Sequence, residues 1–121
     1  MKIGIQGSRG AHSENAAAKL YPKAEIVTCT TFEDCFKLAQ ENDDCKIMIP
    51  IENSSSGRVA DIQYLIPKYK LQIYAEYFHP VSHYLLGLPG SKLKDIKYVR
   101  SHAQAISQCQ KIIKKSNLQV N

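Results

Sequence analysis

Short apolar runs alternating with amphipathic helical stretches predict an α/β domain with a mainly parallel sheet. Three observations carry that expectation. Lys2-Ile3-Gly4-Ile5-Gln6, Glu25-Ile26-Val27-Thr28-Cys29 and Lys46-Ile47-Met48-Ile49 are strand-length runs, each followed by a loop and a helical pattern. At 121 residues and 44% hydrophobic, the chain has the ordinary composition of a small globular domain with a core. Polar clusters stand just past strand ends, where open α/β sheets place their ligands.

The first strand runs into the glycine-rich turn Gly7-Ser8-Arg9-Gly10. A helix is expected over residues 13–20, with Ser13 as its N-cap and Pro22 behind it. After the second strand, Thr31 with Asp34, or Thr30 with Glu33, supplies a capping-box signal. The helix that follows places Phe32, Cys35, Phe36 and Ala39 on one face, the spacing of a buried stripe. The third strand leads to a polar loop, and a short helix from Val59 to Ile66 is expected to stop at Pro67. Leu71 to His79 and Val81 to Leu88 read as long β segments interrupted at Pro80. Pro89-Gly90 marks a turn and Tyr98-Val99 a short strand. From His102 to Lys115 one helix is expected, with Ala105, Ile106, Cys109, Ile112 and Ile113 on one face. Leu118-Gln119-Val120 begins a further strand.

Charge is unevenly placed. Residues 1–60 carry 7 Lys/Arg and 8 Asp/Glu, whereas residues 61–121 carry 9 and 3. A basic half of this kind suits an anionic ligand. As a nucleic-acid surface, the stretch from Lys92 to Lys115 is poor, because Tyr98 is its only aromatic residue and no recognition motif occurs. The four cysteines, Cys29, Cys35, Cys45 and Cys109, form no C-x-x-C pair, which argues against a zinc site or a thioredoxin-like motif. Free thiols are the expected state, and with them a reducing, cytoplasmic setting. No apolar run approaches the roughly 20 residues of a membrane span.

Three polar constellations carry candidate chemistry. Gly7-Ser8-Arg9-Gly10-Ala11-His12-Ser13 joins a strand to a helix, and amides at such a junction attract carboxylate or phosphate. Its glycine spacing departs from the dinucleotide fingerprint and it has no Walker lysine. The second, Ile49-Pro50-Ile51-Glu52-Asn53-Ser54-Ser55-Ser56-Gly57, sets a carboxylate, an amide and three hydroxyls beyond a strand. The third is Arg100-Ser101-His102-Ala103-Gln104, where Ser101 also suits a helix cap. His83 stands apart, within the apolar run from Val81 to Gly87.

At these clusters the sequence resembles prephenate dehydratase, the enzyme family of phenylalanine biosynthesis. The resemblance rests on Gly7-x-x-Gly10-Ala11-His12-Ser13-Glu14, on Ile49-Pro50-Ile51-Glu52-Asn53-Ser54-x-x-Gly57-Arg58-Val59, on Glu76-Tyr77-Phe78-His79-Pro80-Val81-x-His83-x-Leu85-Leu86-Gly87, and on Ser101-His102-x-Gln104-Ala105-x-x-Gln108-Cys109. It implies a two-lobed α/β domain similar to type 2 periplasmic binding proteins, with the first lobe at about residues 1–72 and a partial second lobe at 73–121. The implied activity is a carbon–oxygen lyase that converts prephenate to phenylpyruvate, with loss of water and carbon dioxide.

On this resemblance Glu52, Ser101 and His102 are the candidate catalytic residues. Ser13, Asn53, Ser54, Gly57, His83 and Gln104 are the candidates for binding substrate. Neither metal nor organic cofactor is expected, since aromatisation drives the reaction and a positioned proton donor assists hydroxide departure. The expected partner is the small molecule prephenate, or its amino analogue arogenate, and no nucleic acid or membrane. The family pattern continues to a Thr-Arg-Phe motif and an ACT domain; Thr28, Thr30 and Thr31 are the only threonines here, and none precedes Arg-Phe. The expectation is therefore a truncated or naturally shortened catalytic domain, with an incomplete second lobe and little or no activity by itself. Self-association would then cover its exposed sheet edges. The alternative is a non-catalytic remnant that binds small carboxylates.

Overall fold

A computed structural model describes all 121 residues. The chain divides into two compact units, Met1–Pro80 and Val81–Asn121.

In the first unit, strands β1 (Lys2–Gln6), β2 (Glu25–Cys29) and β3 (Cys45–Met48) form a parallel sheet in the order β2-β1-β3. Helices α1 (His12–Leu20) and α2 (Phe32–Glu41) make the two crossovers, as parallel neighbours require. Alternation along β1 sends Ile3 and Ile5, both essentially inaccessible, toward Ala17, Tyr21 and Ala24. The opposite side of the unit is built on Phe36, Ile62 and Leu65, with Phe32, Ile47, Ile49 and Tyr69 packed around them. Gly4 lies between these strand positions for a steric reason: a Cβ there would come within 3.0 Å of Leu38 Cδ2 and 3.2 Å of Ile47 Cγ2. Its missing side chain is what allows α2 to approach the sheet.

The capping box at α2 forms as expected: Thr31 Oγ1 accepts from the Asp34 amide at 3.1 Å, and Asp34 Oδ2 accepts from the Thr31 amide at 3.1 Å. At α1 the expected N-cap fails. Ser13 lies inside the helix, Ala11 occupies the cap position without a side-chain bond, and Glu14 takes over. Its carboxylate accepts from the Gly10 amide at 2.5 Å and pairs with Arg9 at 3.2 Å. A carboxylate in the first turn binds the Gly10 amide just before the cap and complements the helix dipole.

Beyond β3, strands β4 (Glu52–Asn53) and β5 (Gly57–Arg58) close a small antiparallel hairpin. Helix α3 (Ala60–Tyr69) follows and runs through Pro67 rather than ending there. Two features hold its last turn. Tyr69 packs on Phe36 with ring centroids 5.8 Å apart, and its hydroxyl donates to Glu33 at 2.7 Å. Lys70, at φ 54°, then caps the helix by donating to the Pro67 carbonyl.

The expected β segments after Leu71 do not form: residues 71–88 carry no ladder hydrogen bonds. Period-2 hydrophobicity specifies an extended two-faced chain, but a strand exists only where a partner backbone receives its hydrogen bonds. Tyr74, Phe78, Tyr84, Leu86 and Leu88 are consequently more than four-fifths exposed.

In the second unit, β6 (Tyr98–Val99) pairs in parallel with β7 (Gln119–Val120). The single helix expected between them is two, α4 (Ala103–Gln108) and α5 (Gln110–Lys115), separated at Cys109. Side chains compete there for helix carbonyls: Ser107 Oγ donates to Gln104 O at 2.8 Å and Gln110 Nε2 to Ile106 O at 3.1 Å. Of the expected apolar face, Ile113 is buried and Ile112 is half-exposed. Leu118 completes the small core, its amide bonded to the Ile113 carbonyl.

Candidate functional site

Two loops of the first unit leave the carboxyl ends of neighbouring strands. The one after β1 turns through Gly7 and Gly10, whose φ angles of 106° and 89° are costly for any residue with a Cβ. Its amides are partly committed: Gly7 N–H donates to Cys29 O, and Gly10 N–H to Glu14. The anion bound at this helix start is therefore the protein's own carboxylate, and Arg9 is paired with it. Ser13 stands on the first turn of α1, half-buried.

The Glu52 loop is ordered by its own chemistry. Asn53 Oδ1 accepts from the Ser55 amide at 2.8 Å, an Asx turn that starts the reversal, and Gly57 completes it at φ 74°. The Val59 amide donates to the Ile51 carbonyl and fixes the hairpin base. Glu52, Asn53, Ser54 and Gly57 are thus brought together on one hairpin, with Glu52 opposite Arg58 in the ladder. Glu52, Ser54 and Gly57 are exposed, and Asn53 is half-buried.

The remaining candidates lie in the second unit. His102, rather than Ser101, caps α4: its Nδ1 accepts from the Gln104 amide at 3.3 Å. That bond requires His102 Nδ1 to be unprotonated, so neutral His102 carries its proton on Nε2. Ser101 and Gln104 flank it, both exposed. His83 Nε2 meets Gln108 Oε1 at 2.8 Å, a contact that residue spacing gave no means of seeing.

A further contact within the first unit also escaped sequence reading. His12 Nδ1 and His79 Nε2 lie 3.3 Å apart across 67 positions of chain. Both residues belong to motif segments quoted above, but nothing in a linear pattern pairs them.

Elsewhere the first unit holds an apolar groove of about 260 Å³ between β3 and residues 71–75, lined by Ile47, Ile49, Ile66, Leu71 and Tyr74. It contains none of the polar candidates. The acidities that the fold moves also belong to the scaffold. Hydrogen bonds from Lys68 and Tyr69 hold Glu33 down at about 2. Burial pushes the Cys35 and Cys45 thiols up, and the neighbouring Cys29 adds to the effect at Cys35.

A parallel βαβ scaffold with polar loops at its strand ends is the arrangement in which open α/β sheets place their ligands. Comparison with known proteins names the family: residues 3–121 match the family model of prephenate dehydratase, and the chain belongs to that family. It is 43% identical over 109 residues, 90% of its length, to arogenate dehydratase/prephenate dehydratase 1, chloroplastic, of Arabidopsis thaliana, and spans 28% of that protein. With arogenate dehydratase 2 of Petunia hybrida the identity is 36% over 98% of the chain and 30% of the relative. With a bifunctional N-acyl-homoserine lactone acylase/prephenate dehydratase of Komagataeibacter europaeus it is 37%, over 92% of the chain and 40% of the relative.

Two solved structures resemble the whole chain. GqqA, described as a novel type of quorum-quenching acylase, superposes with a TM-score of 0.86 at 35% identity, over 44% of its own chain. The prephenate dehydratase of Staphylococcus aureus Mu50 superposes at 0.84 and 23% identity, over 47% of its chain, a likeness of fold. The chain thus spans between about a quarter and a half of the proteins it matches.

Proposed function

We propose that this chain carries strand-end loops of a dehydratase site that takes prephenate, or arogenate, as its small-molecule substrate. The observation that carries this reading is the Glu52-Asn53-Ser54 hairpin. A family-matching segment is folded there into a compact display of carboxylate, amide and hydroxyl at the end of a parallel strand.

The reaction sets the roles. One carboxylate leaves as carbon dioxide, its C–C bonding electrons move into the ring, and the ring C–O bond breaks. The departing hydroxide takes a proton and leaves as water. Glu52, Ser101 and His102 are the groups assigned to deliver that proton or to orient the leaving hydroxyl. Among them, neutral His102 with its proton on Nε2 has a donor to offer. Ser13, Asn53, Ser54, Gly57, His83 and Gln104 are assigned to hold the substrate, whose two carboxylates call for hydrogen-bond donors. The whole domain is read as a two-lobed, periplasmic-binding-protein-like fold, in a protein of phenylalanine biosynthesis.

Self-association is part of the proposal, supported by the exposed apolar side chains of residues 71–88. A cytoplasmic location is supported by four free cysteines. The second reading, a domain that binds small carboxylates without converting them, is favoured by the exposure of Glu52, since burial is what suits a carboxyl group to proton donation at neutral pH.

The test is phenylpyruvate release from prephenate at neutral pH, followed by ultraviolet absorbance against a buffer blank, with phenylalanine release from arogenate run in parallel. Turnover that falls by about 10²- to 10⁴-fold in Glu52→Gln supports the acid role. Turnover unchanged in that variant removes Glu52 from the chemistry. Saturable binding without turnover establishes the second reading.

A further inference from the structure

We propose, resting on the dehydratase reading above, that Arg58 binds the side-chain carboxylate of the substrate, the one that survives the reaction. Glu52 and Arg58 are ladder partners in the β4–β5 hairpin. Directly opposed residues of an antiparallel pair send their side chains to one face, with Cβ atoms about 4.5–5.5 Å apart. The guanidinium therefore shares a face with the Glu52 carboxylate, on the hairpin that carries Asn53 and Ser54.

The ordinary fate of such a pair is a cross-strand salt bridge, and none forms. The ion pairs of the chain are Met1 with Asp44, Arg9 with Glu14 and Lys68 with Glu33. Of the two arginines in the first unit, Arg9 is held by Glu14, whereas Arg58 is exposed and keeps its donors free. An exposed pair is weak in any case, so Glu52 is a poor competitor for the guanidinium.

Charge balance calls for a cation at this place. Prephenate carries two carboxylates, and the groups assigned to hold it are hydroxyls, amides, a glycine and a histidine. Glu52 sets a further carboxylate beside them, and like charges repel. Between Glu52 and Arg58 there is no other lysine or arginine, so Arg58 is the cation of the hairpin. Its planar fork matches a carboxylate bidentately.

The reaction selects which carboxylate. The ring carboxylate gives up its charge as carbon dioxide leaves, so an arginine there would hold the ground state more tightly than the transition state and slow the step. The side-chain carboxylate is unchanged from prephenate to phenylpyruvate, and a cation on it anchors both.

The experiment is a calorimetric titration of the 121-residue chain at neutral pH with prephenate and, separately, with phenylpyruvate, which keeps only the side-chain carboxylate. Arg58→Gln, Arg58→Lys and Asn53→Ala are run beside the unsubstituted chain, each checked for native circular dichroism. In Arg58→Gln both ligands are expected to bind about tenfold more weakly, the low end for a charge-assisted hydrogen bond because the position is exposed. Arg58→Lys keeps the charge and loses the fork, and is expected to regain part of that affinity. If Arg58→Gln leaves the binding of either ligand undiminished while Asn53→Ala still weakens prephenate, the role of Arg58 is overturned and the dehydratase reading stands. Absence of saturable prephenate binding by the folded, unsubstituted chain overturns that reading and this assignment together.

Discussion

Residues 1–80 and residues 81–121 were built from similar sequence material and reached different degrees of order. The first unit buries nine apolar residues, on both sides of a three-stranded parallel sheet; the second buries Ile113 and Leu118 around two-residue strands. Both contain a strand, a polar turn and an amphipathic helix in succession. What separates them is the number of partners each element finds. β1 has a neighbour on either side, and its side chains meet α1 and α2 on opposite faces. Residues 81–88 are at least as apolar as β1 and β2 and have no ladder at all. Hydrophobic patterning therefore specifies which residues want to be inside, while the partners decide whether they get there.

The largest way to break the contrast is Phe36→Ala. Phe36 is buried between α2 and α3, so its truncation is expected to cost about 3–5 kcal/mol, measured by chemical denaturation of the first unit. Ile113→Ala, in the thin core of the second unit, is expected near the low end of the range for such truncations, about 2 kcal/mol. Equal costs would mean that the two cores are equally built. Gly4→Ala tests the close approach of α2 to the sheet. Leu38 and Ile47 must give way, and a loss of about 1–3 kcal/mol is expected. A neutral result would show that the neighbours repack freely.

Hydrogen exchange sharpens the same comparison without any variant. Amides of β1 and of β2 are expected to be the slowest in the chain, and those of residues 71–88, which lack ladder bonds, among the fastest. Slow exchange across 71–88 would reveal a partner strand, as self-association requires.

The smallest effect is the pH dependence of the Glu33 tie between α2 and α3. Glu33 accepts from Lys68 and from Tyr69, each at 2.7 Å. Its pKa in the fold, about 2, lies below the ordinary 4.5. The stabilisation is therefore complete above about pH 4.5 and lost as pH falls through about 2. Lys68 and Tyr69 are shifted upward, by Glu33 first in each case, so their share persists through neutrality and fades only in strong alkali. Both ionic partners are about two-fifths exposed, and salt screens the pair. Urea melts of Glu33→Gln between pH 2 and 5 are expected to show a flatter acid limb than the unsubstituted chain. An identical acid limb would show that other carboxylates set it.

Legibility followed the range of the interactions. The first three strands, the α2 capping box and the buried stripe of Phe32, Cys35, Phe36 and Ala39 were readable because local propensity and short-range periodicity fix them. The cap of α1 was misread because Glu14 reaches back to Gly10, a choice that Ser13 was equally placed to make by composition alone. Pro67 was misread as a stop because Tyr69 anchors the turn beyond it from another element. Among the candidate site residues, Glu52, Asn53, Ser54 and Gly57 were legible as one group because they are contiguous and close into a hairpin. The contacts of His83 with Gln108 and of His12 with His79 join residues 25 and 67 positions apart, a separation that no linear pattern encodes.

The most direct measurement on the central claim is a calorimetric titration of prephenate into the folded chain at neutral pH, with Asn53→Ala and Ser54→Ala alongside. A saturable heat in the unsubstituted chain, weakened by about 1–3 kcal/mol when a hairpin hydrogen-bonding group is removed, is the predicted result. No saturable heat from a folded chain, or binding indifferent to both substitutions, would contradict the assignment of this hairpin to the substrate.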